Sequence, residues 1–147
     1  MITDECEICG RVDARLVGGL CTVCQSKHVS TALTTEHLLA VMSRHIGAAR
    51  GATISQLADE VVWPAGLREQ MRNSVERSLR DLVVQLRLAG HHICAHPSSG
   101  YYMAETPEEL DATCTFLFDR AMTSLSQVAA MRRVSLPDLR GQLQLPT

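Results

Sequence analysis

Two C-x-x-C pairs near the amino end constrain this chain more than anything else in it: Cys6-Glu7-Ile8-Cys9 and Cys21-Thr22-Val23-Cys24. Each pair presents two thiolates from one tight bend, and two such bends can close a sulfur tetrahedron around a single metal ion. Eleven residues lie between Cys9 and Cys21, room for a short hairpin and too few for an independent fold. A segment of about 30 residues cannot bury enough apolar surface to stay folded alone, so a bound metal would supply the missing stability.

Local chemistry supports that arrangement. Gly10 follows Cys9 and lets the backbone turn with positive φ beneath the sulfurs, and Gly18-Gly19 can reverse the chain before Leu20. The run Gln25–Leu33 is polar and reads as a helix. Knuckle, hairpin, knuckle and helix over residues 1–30 resemble a treble-clef or zinc-ribbon finger. Gln25 stands where ribbons repeat the glycine, which favours the treble clef, whose second pair begins a helix. The resemblance implies one structural zinc ion held by Cys6, Cys9, Cys21 and Cys24. Sulfur ligation also admits iron, and two disulfides are the remaining alternative. No secretory leader is evident, so a cytoplasmic, thiol-reducing setting in a bacterial or phage-infected cell is expected. Four protein ligands leave no open position, which argues against a catalytic metal. His28 reads as a surface histidine or as a group close to the metal.

Charge limits what the finger can touch. Asp4, Glu5, Glu7 and Asp13 outweigh Arg11, Arg15 and Lys27. A zinc ion with four thiolates adds roughly −2. Phosphate repels such a module, so the finger is expected to brace the fold or dock a protein.

The 147 residues leave room for one further domain, and a formal charge of −2 means that any nucleic-acid contact must come from a local patch. Thirteen arginines against one lysine suit planar hydrogen bonding better than diffuse attraction. No apolar run is long enough to span a bilayer. Cys94 and Cys114 read as small buried apolar residues.

Residues 31–106 predict three helices and a hairpin. The first starts near Thr34 or Thr35 and carries Leu38, Leu39, Val41, Met42 and Ile46, with Gly47 to Gly51 ending it. The second, capped by Thr53, covers Ile54–Val62. Trp63-Pro64-Ala65-Gly66 is a turn. The third runs from about Leu67 to Ala89, with Leu67, Met71, Val75, Leu79, Leu82, Val83 and Leu86 on one stripe. A strand at 91–96, a turn at 97–100 and a strand at 101–104 follow. His92, Cys94 and His96 alternate, so one strand face could offer metal ligands, although burial in a hairpin explains them more simply.

This order, together with Val75–Leu82, Ala89–Ile93 and Gly100–Thr106, is similar to small winged helix-turn-helix proteins of phages and prophages. This resemblance covers roughly residues 36–130; with the finger and the residue pattern of the tail it implies a mainly α (α+β) chain: a four-Cys zinc finger (1–30), a winged helix-turn-helix (31–106), a long C-terminal helix (107–134) and a Leu/Pro-containing tail (135–147). It implies double-stranded DNA as partner and a role in transcription regulation or replication. Arg72 with Asn73 and Gln70 would approach base edges, Arg77 and Arg80 phosphates, and His96, Ser98 and Ser99 the backbone or minor groove, with Arg68 on the same DNA-binding face. An alternative for the same arginines is a solvated face laced with Arg72–Glu76 and Glu76–Arg80 pairs. No phosphate loop, nucleophile elbow or carboxylate pair is present, so a non-enzymatic protein is expected. The alternative function is a small phage interaction protein that inhibits or redirects a host complex such as polymerase or a defence nuclease.

The last helix is announced by Thr106, Pro107, Glu108 and Glu109, a cap with a capping box. Its stripe of Leu110, Cys114, Leu117, Phe118, Ala121, Leu125, Val128 and Ala129 either packs on the winged helix of its own chain or forms a homodimer seam or partner groove. The tail, with Leu136, Leu139, Leu143 and Leu145, either docks on a neighbour or stays loose.

Overall fold

A computed structural model describes residues 4–13, 15–64 and 66–138. The expected tail residues Leu139, Leu143 and Leu145 lie outside the described residues. The chain is mostly helical, with two small antiparallel sheets and a four-cysteine cluster.

The amino end pairs β1 (Asp4–Glu5) with β2 (Val12–Asp13) and leads into α1 (Thr22–Ala32). Cys6, Leu20, Cys21 and Cys24 form a small cluster with Leu16 against it. Val29, further along α1, belongs to the main core. The expected boundary at residue 30 therefore falls inside a helix that starts in the finger and ends in the body. A few buried residues around a cluster of thiols are too small a core to stand apart, so α1 carries the finger onto a larger one.

The body holds α2 (Thr35–Met42), a 3-10 turn (Ala48–Arg50), α3 (Ile54–Val62) and α4 (Glu69–Leu88). Caps set the starts. Thr34 Oγ1 accepts the His37 N–H, and Thr53 with Gln56 forms a reciprocal capping box on α3. Helix α2 stops before Ile46, which lies 44% exposed outside it. Leu38, Met42, Leu57, Val61, Val62, Leu79 and Val83 fill the core where α2, α3 and α4 meet. At roughly 1.5–3 kcal/mol per fully buried aliphatic side chain, this cluster is the main source of stability.

Strands β3 (Ile93–His96) and β4 (Gly100–Met103) form the hairpin. The segment between α2 and α3 adds a third rung that the sequence pattern does not announce. Ala52 and Tyr101 exchange both backbone hydrogen bonds, and Gly47 N–H and His45 C=O bond Met103. Two glycines make this approach feasible. A Cβ on Gly51 would collide with the Ser99 carbonyl, and one on Gly100, at φ +73°, with the Ala52 carbonyl.

Helix α5 (Pro107–Arg132) leaves from the hairpin. Thr106 Oγ1 accepts the Glu109 N–H as expected, but the carboxylate does not complete the box on Thr106. It accepts the N–H of Glu105 at 2.8 Å and of Ala48 at 2.9 Å, pinning the helix start to the 3-10 turn. These two donors hold its carboxyl below the ordinary range. Only the first turns of α5 dock on β3: Thr113 is buried against Cys94 and Tyr102, whose ionisations burial pushes up. Beyond them, Leu117 and Phe118 of the stripe lie exposed, whereas Leu125 and Val128 are half-buried and Ala129 is buried, so the stripe is covered only in part. The 26-residue helix is about 39 Å long, and the hairpin supports only its beginning.

Candidate metal centre and the outer face of helix α4

The first C-x-x-C bends through a hydrogen bond from Gly10 N–H to the Cys6 carbonyl at 2.8 Å, with Gly10 at φ +67°. The second pair sits where α1 begins: Cys21 is its N-cap and Cys24 lies in its first turn. Leu20 pairs with Val17 across Gly18-Gly19, returning the chain to the knuckle. Asp13 accepts the N–H groups of Arg15 and Thr22, which fixes the hairpin against the helix start and lowers the carboxyl's pKa.

The sulfurs of Cys6, Cys9, Cys21 and Cys24 lie within 4.8 Å of one another, and all four cysteines are free thiols. Cys9 and Cys21 stand 3.7 Å apart. A regular tetrahedron with metal–sulfur bonds of about 2.3 Å has edges of about 3.8 Å, so the donor set fits one ion. Cys6, Cys21 and Cys24 are buried and Cys9 faces solvent.

Their protonation is split by environment. The Cys21 backbone N–H, followed by that of Cys9, lowers Cys6 to about 6. The Cys24 N–H lowers Cys21. Cys24 is pushed up to about 12, first by the Cys9 sulfur and then by burial. Crowded thiols cannot all ionise without a cation, and a metal at the centre removes that repulsion.

The finger is bolted to the body by polar contacts that sequence reasoning missed. Gln25 is fully buried, and its Nε2 donates to the Gly66 carbonyl at 3.0 Å. His28 Nε2 meets the Val62 carbonyl at 3.1 Å, and within the body His37 Nε2 of α2 meets that of Val61 at 2.9 Å. These imidazoles satisfy carbonyls at the end of α3 that have no further helical partner. His28 is therefore occupied by the body and is neither a loose surface group nor part of the metal site. A glutamine after a cysteine and isolated histidines carry no local signal of this role, because their partners lie more than twenty residues away.

Arg68, the N-cap of α4, donates through Nη2 to the carbonyls of Arg15 and Leu20, tying the helix start to the finger. Arg72 joins α4 to α3: it pairs with Asp59 at 3.0 Å and Glu69 at 3.3 Å and donates to Ser55 Oγ at 2.8 Å. Its side chain is 21% exposed, and the expected Arg72–Glu76 pair is replaced by these partners. The expected Glu76–Arg80 pair is present at 3.6 Å. Gln70, Asn73, Arg77 and Arg80 lie exposed along the outer side of α4, opposite Val75, Leu79, Val83 and Leu86.

At the hairpin tip His96 and Ser98 are exposed and Ser99 is half-buried. His96 Nδ1 accepts the Ser98 N–H. Among the described residues the four-cysteine group is the one set of side chains placed to hold a metal; His92, Cys94 and His96 do not form a second. No helix among the described residues is long and apolar enough to cross a membrane. Comparison of the chain with protein-family models, with curated proteins and with solved structures finds no match.

Proposed function

We propose that this is a zinc-containing winged-helix DNA-binding protein, of the kind that regulates transcription or replication in a phage or bacterium. In this reading Cys6, Cys9, Cys21 and Cys24 hold one structural zinc ion in a treble-clef finger. Four thiolates in a closed tetrahedral shell suit zinc and leave no position for substrate. Helices α3 and α4 are the helix-turn-helix, and β3–β4 is the wing. The third rung at residues 45–52 supports the reading, because it joins the segment before α3 to the hairpin after α4 and so fixes the wing beside the helix pair.

The observation that carries it is the outer side of α4. Gln70, Asn73, Arg77 and Arg80 stand along one exposed face with amide and guanidinium groups, the donors that read base edges and phosphates in a major groove. Arg68 and Arg72 act behind them, setting the helix against the finger and α3. His96, Ser98 and Ser99 would touch backbone at the wing tip. Fluorescence anisotropy with duplex DNA at low and high salt tests this. Arg77→Ala/Arg80→Ala should weaken binding and flatten its salt slope, by about one unit of slope for each phosphate that is no longer neutralised. Absence of salt-dependent binding by the wild type would remove the reading.

The second reading, a non-enzymatic phage protein that inhibits or redirects a host complex, is favoured by apolar exposure. Trp63 is 77% and Leu88 84% exposed, and the chain's net charge is −2. Aromatic and aliphatic anchors of this kind suit a protein surface better than phosphate. Trp63→Ala/Leu88→Ala would then abolish co-purification of a host partner while leaving any DNA affinity unchanged.

A further inference from the structure

Helix α5 carries an apolar face that its own hairpin does not cover. On that face Leu117 is 41% and Phe118 59% exposed. Contiguous exposure of large apolar groups on a long helix marks an association surface. The helix sequence indicates what covers it.

The centre of the apolar stripe is symmetric about Ala121, while further out Leu110 is opposed by Arg132. Leu117 and Leu125 lie four residues to either side, and Cys114 and Val128 seven. A stripe that reads alike in both directions is self-complementary under a two-fold axis, as an isologous interface requires. Charge sets the direction. The first turns hold Glu108, Glu109 and Asp111, and the last turn holds Arg132 followed by Arg133. Antiparallel copies place acid beside base at both ends and oppose the helix dipoles, whereas parallel copies stack like charges.

We propose that α5 pairs with α5 of a second copy, antiparallel, across a two-fold axis at Ala121. Leu117 of each copy then packs on Leu125 of the other, and Cys114 faces Val128. Ala121 lets the backbones approach at the axis, Phe118 flanks the seam, and Arg132 reaches the Asp111 side of the second copy. The proposal does not depend on the DNA reading.

Sedimentation equilibrium on the full-length, zinc-loaded protein tests it. The wild type should show a reversible monomer–dimer equilibrium, and Leu117→Asp should raise the dimer Kd at least ~100-fold. Leu117 is already partly exposed, so helix content and zinc content should be unchanged in that variant. A short bis-maleimide should link Val128→Cys dimers through Cys114, but should not link the wild type, whose two Cys114 thiols would lie about 21 Å apart along the axis. A wild type that stays monomeric at all concentrations, as when the carboxyl-terminal tail covers the stripe, overturns the proposal. So does a dimer that Leu117→Asp leaves intact, or a wild-type Cys114–Cys114 link, which indicates parallel pairing.

Discussion

Gln25, one residue past the last cysteine of the finger, donates from Nε2 to the carbonyl of Gly66 in the turn between α3 and α4, at 3.0 Å. This bond joins the finger to the body beside those made by His28 and Arg68. Gln25→Leu removes the donor and leaves the half-buried Gly66 carbonyl without it. A loss of about 1–3 kcal/mol is expected in urea unfolding, the cost of a buried polar group deprived of its partner. Zinc content should stay unchanged, which separates this joint from the metal centre.

Metal removal should act mainly on the amino end. Wild type should contain one zinc ion per chain, and Cys6→Ser should lose it. Amide exchange should then rise through residues 4–24 and fall off along α1, because Val29 and the α2–α4 core are packed independently of the sulfurs. Because thiolates bind the metal and thiols do not, acidification should release it, and metal analysis after dialysis at stepped pH measures the midpoint. A metal content equal to wild type in Cys6→Ser would refute the site.

Arg72 and Arg77 stand five residues apart on α4, on different sides of the helix, and should separate stability from binding. Arg72→Ala breaks the bonds to Asp59, Glu69 and Ser55 and should cost about 1 kcal/mol of folding stability. Arg77→Ala touches none of these bonds and should leave the unfolding midpoint nearly unchanged while lowering DNA affinity. Parallel urea melts and anisotropy titrations on the two variants check the split.

Glu109 should make stability pH-dependent on the acid side. Its carboxyl sits below the ordinary 4.5 because the Ala48 and Glu105 N–H groups favour the charged form. A depressed folded pKa means that the unfolded chain takes up the proton first as pH falls. The stabilisation is therefore present above about 4.5 and is lost as pH drops through the lower folded value. Glu109→Gln should lower the melting temperature at neutral pH and flatten its decline below that point. A thermal melt series from pH 3 to pH 7 reads both effects.

Gly100→Ala should detach the hairpin from the 45–52 segment. The residue adopts φ +73°, and an added Cβ meets the Ala52 carbonyl and lies 2.9 Å from the Thr53 nitrogen. A loss of about 1–3 kcal/mol is expected, with faster amide exchange at Ala52 and Tyr101.

Helix α3 was legible to the residue, because Thr53 and Gln56 form a capping box that owes nothing to distant partners and Pro64 follows closely. Thr106 and Pro107 marked the start of α5 for the same reason. Spacing also brought out the four cysteines, whose sulfurs the fold gathers within 4.8 Å. The third rung was not legible: Gly47-Ala48-Ala49-Arg50-Gly51 has neither alternation nor β-branched residues, and its pairing is made with a strand some fifty residues away. Nor could the sequence say that Arg72 would turn to Asp59 on another helix, or that Glu109 would take the Ala48 N–H in place of completing its own box. The periodicity of α5 is the same whether its stripe meets its own chain or a neighbour.

Residues close together in the chain set the span of α3, the start of α5, which cysteines share a knuckle, and which side of each helix is apolar, since turn chemistry, caps and side-chain period act over a few residues. Tertiary structure alone decided which arginines are tied down and which stand free, that α1 belongs to finger and body together, and that the middle of α5 goes uncovered. Those outcomes depend on groups distant in the chain competing for the same donors, acceptors and apolar surface, a competition that exists only once the core has closed.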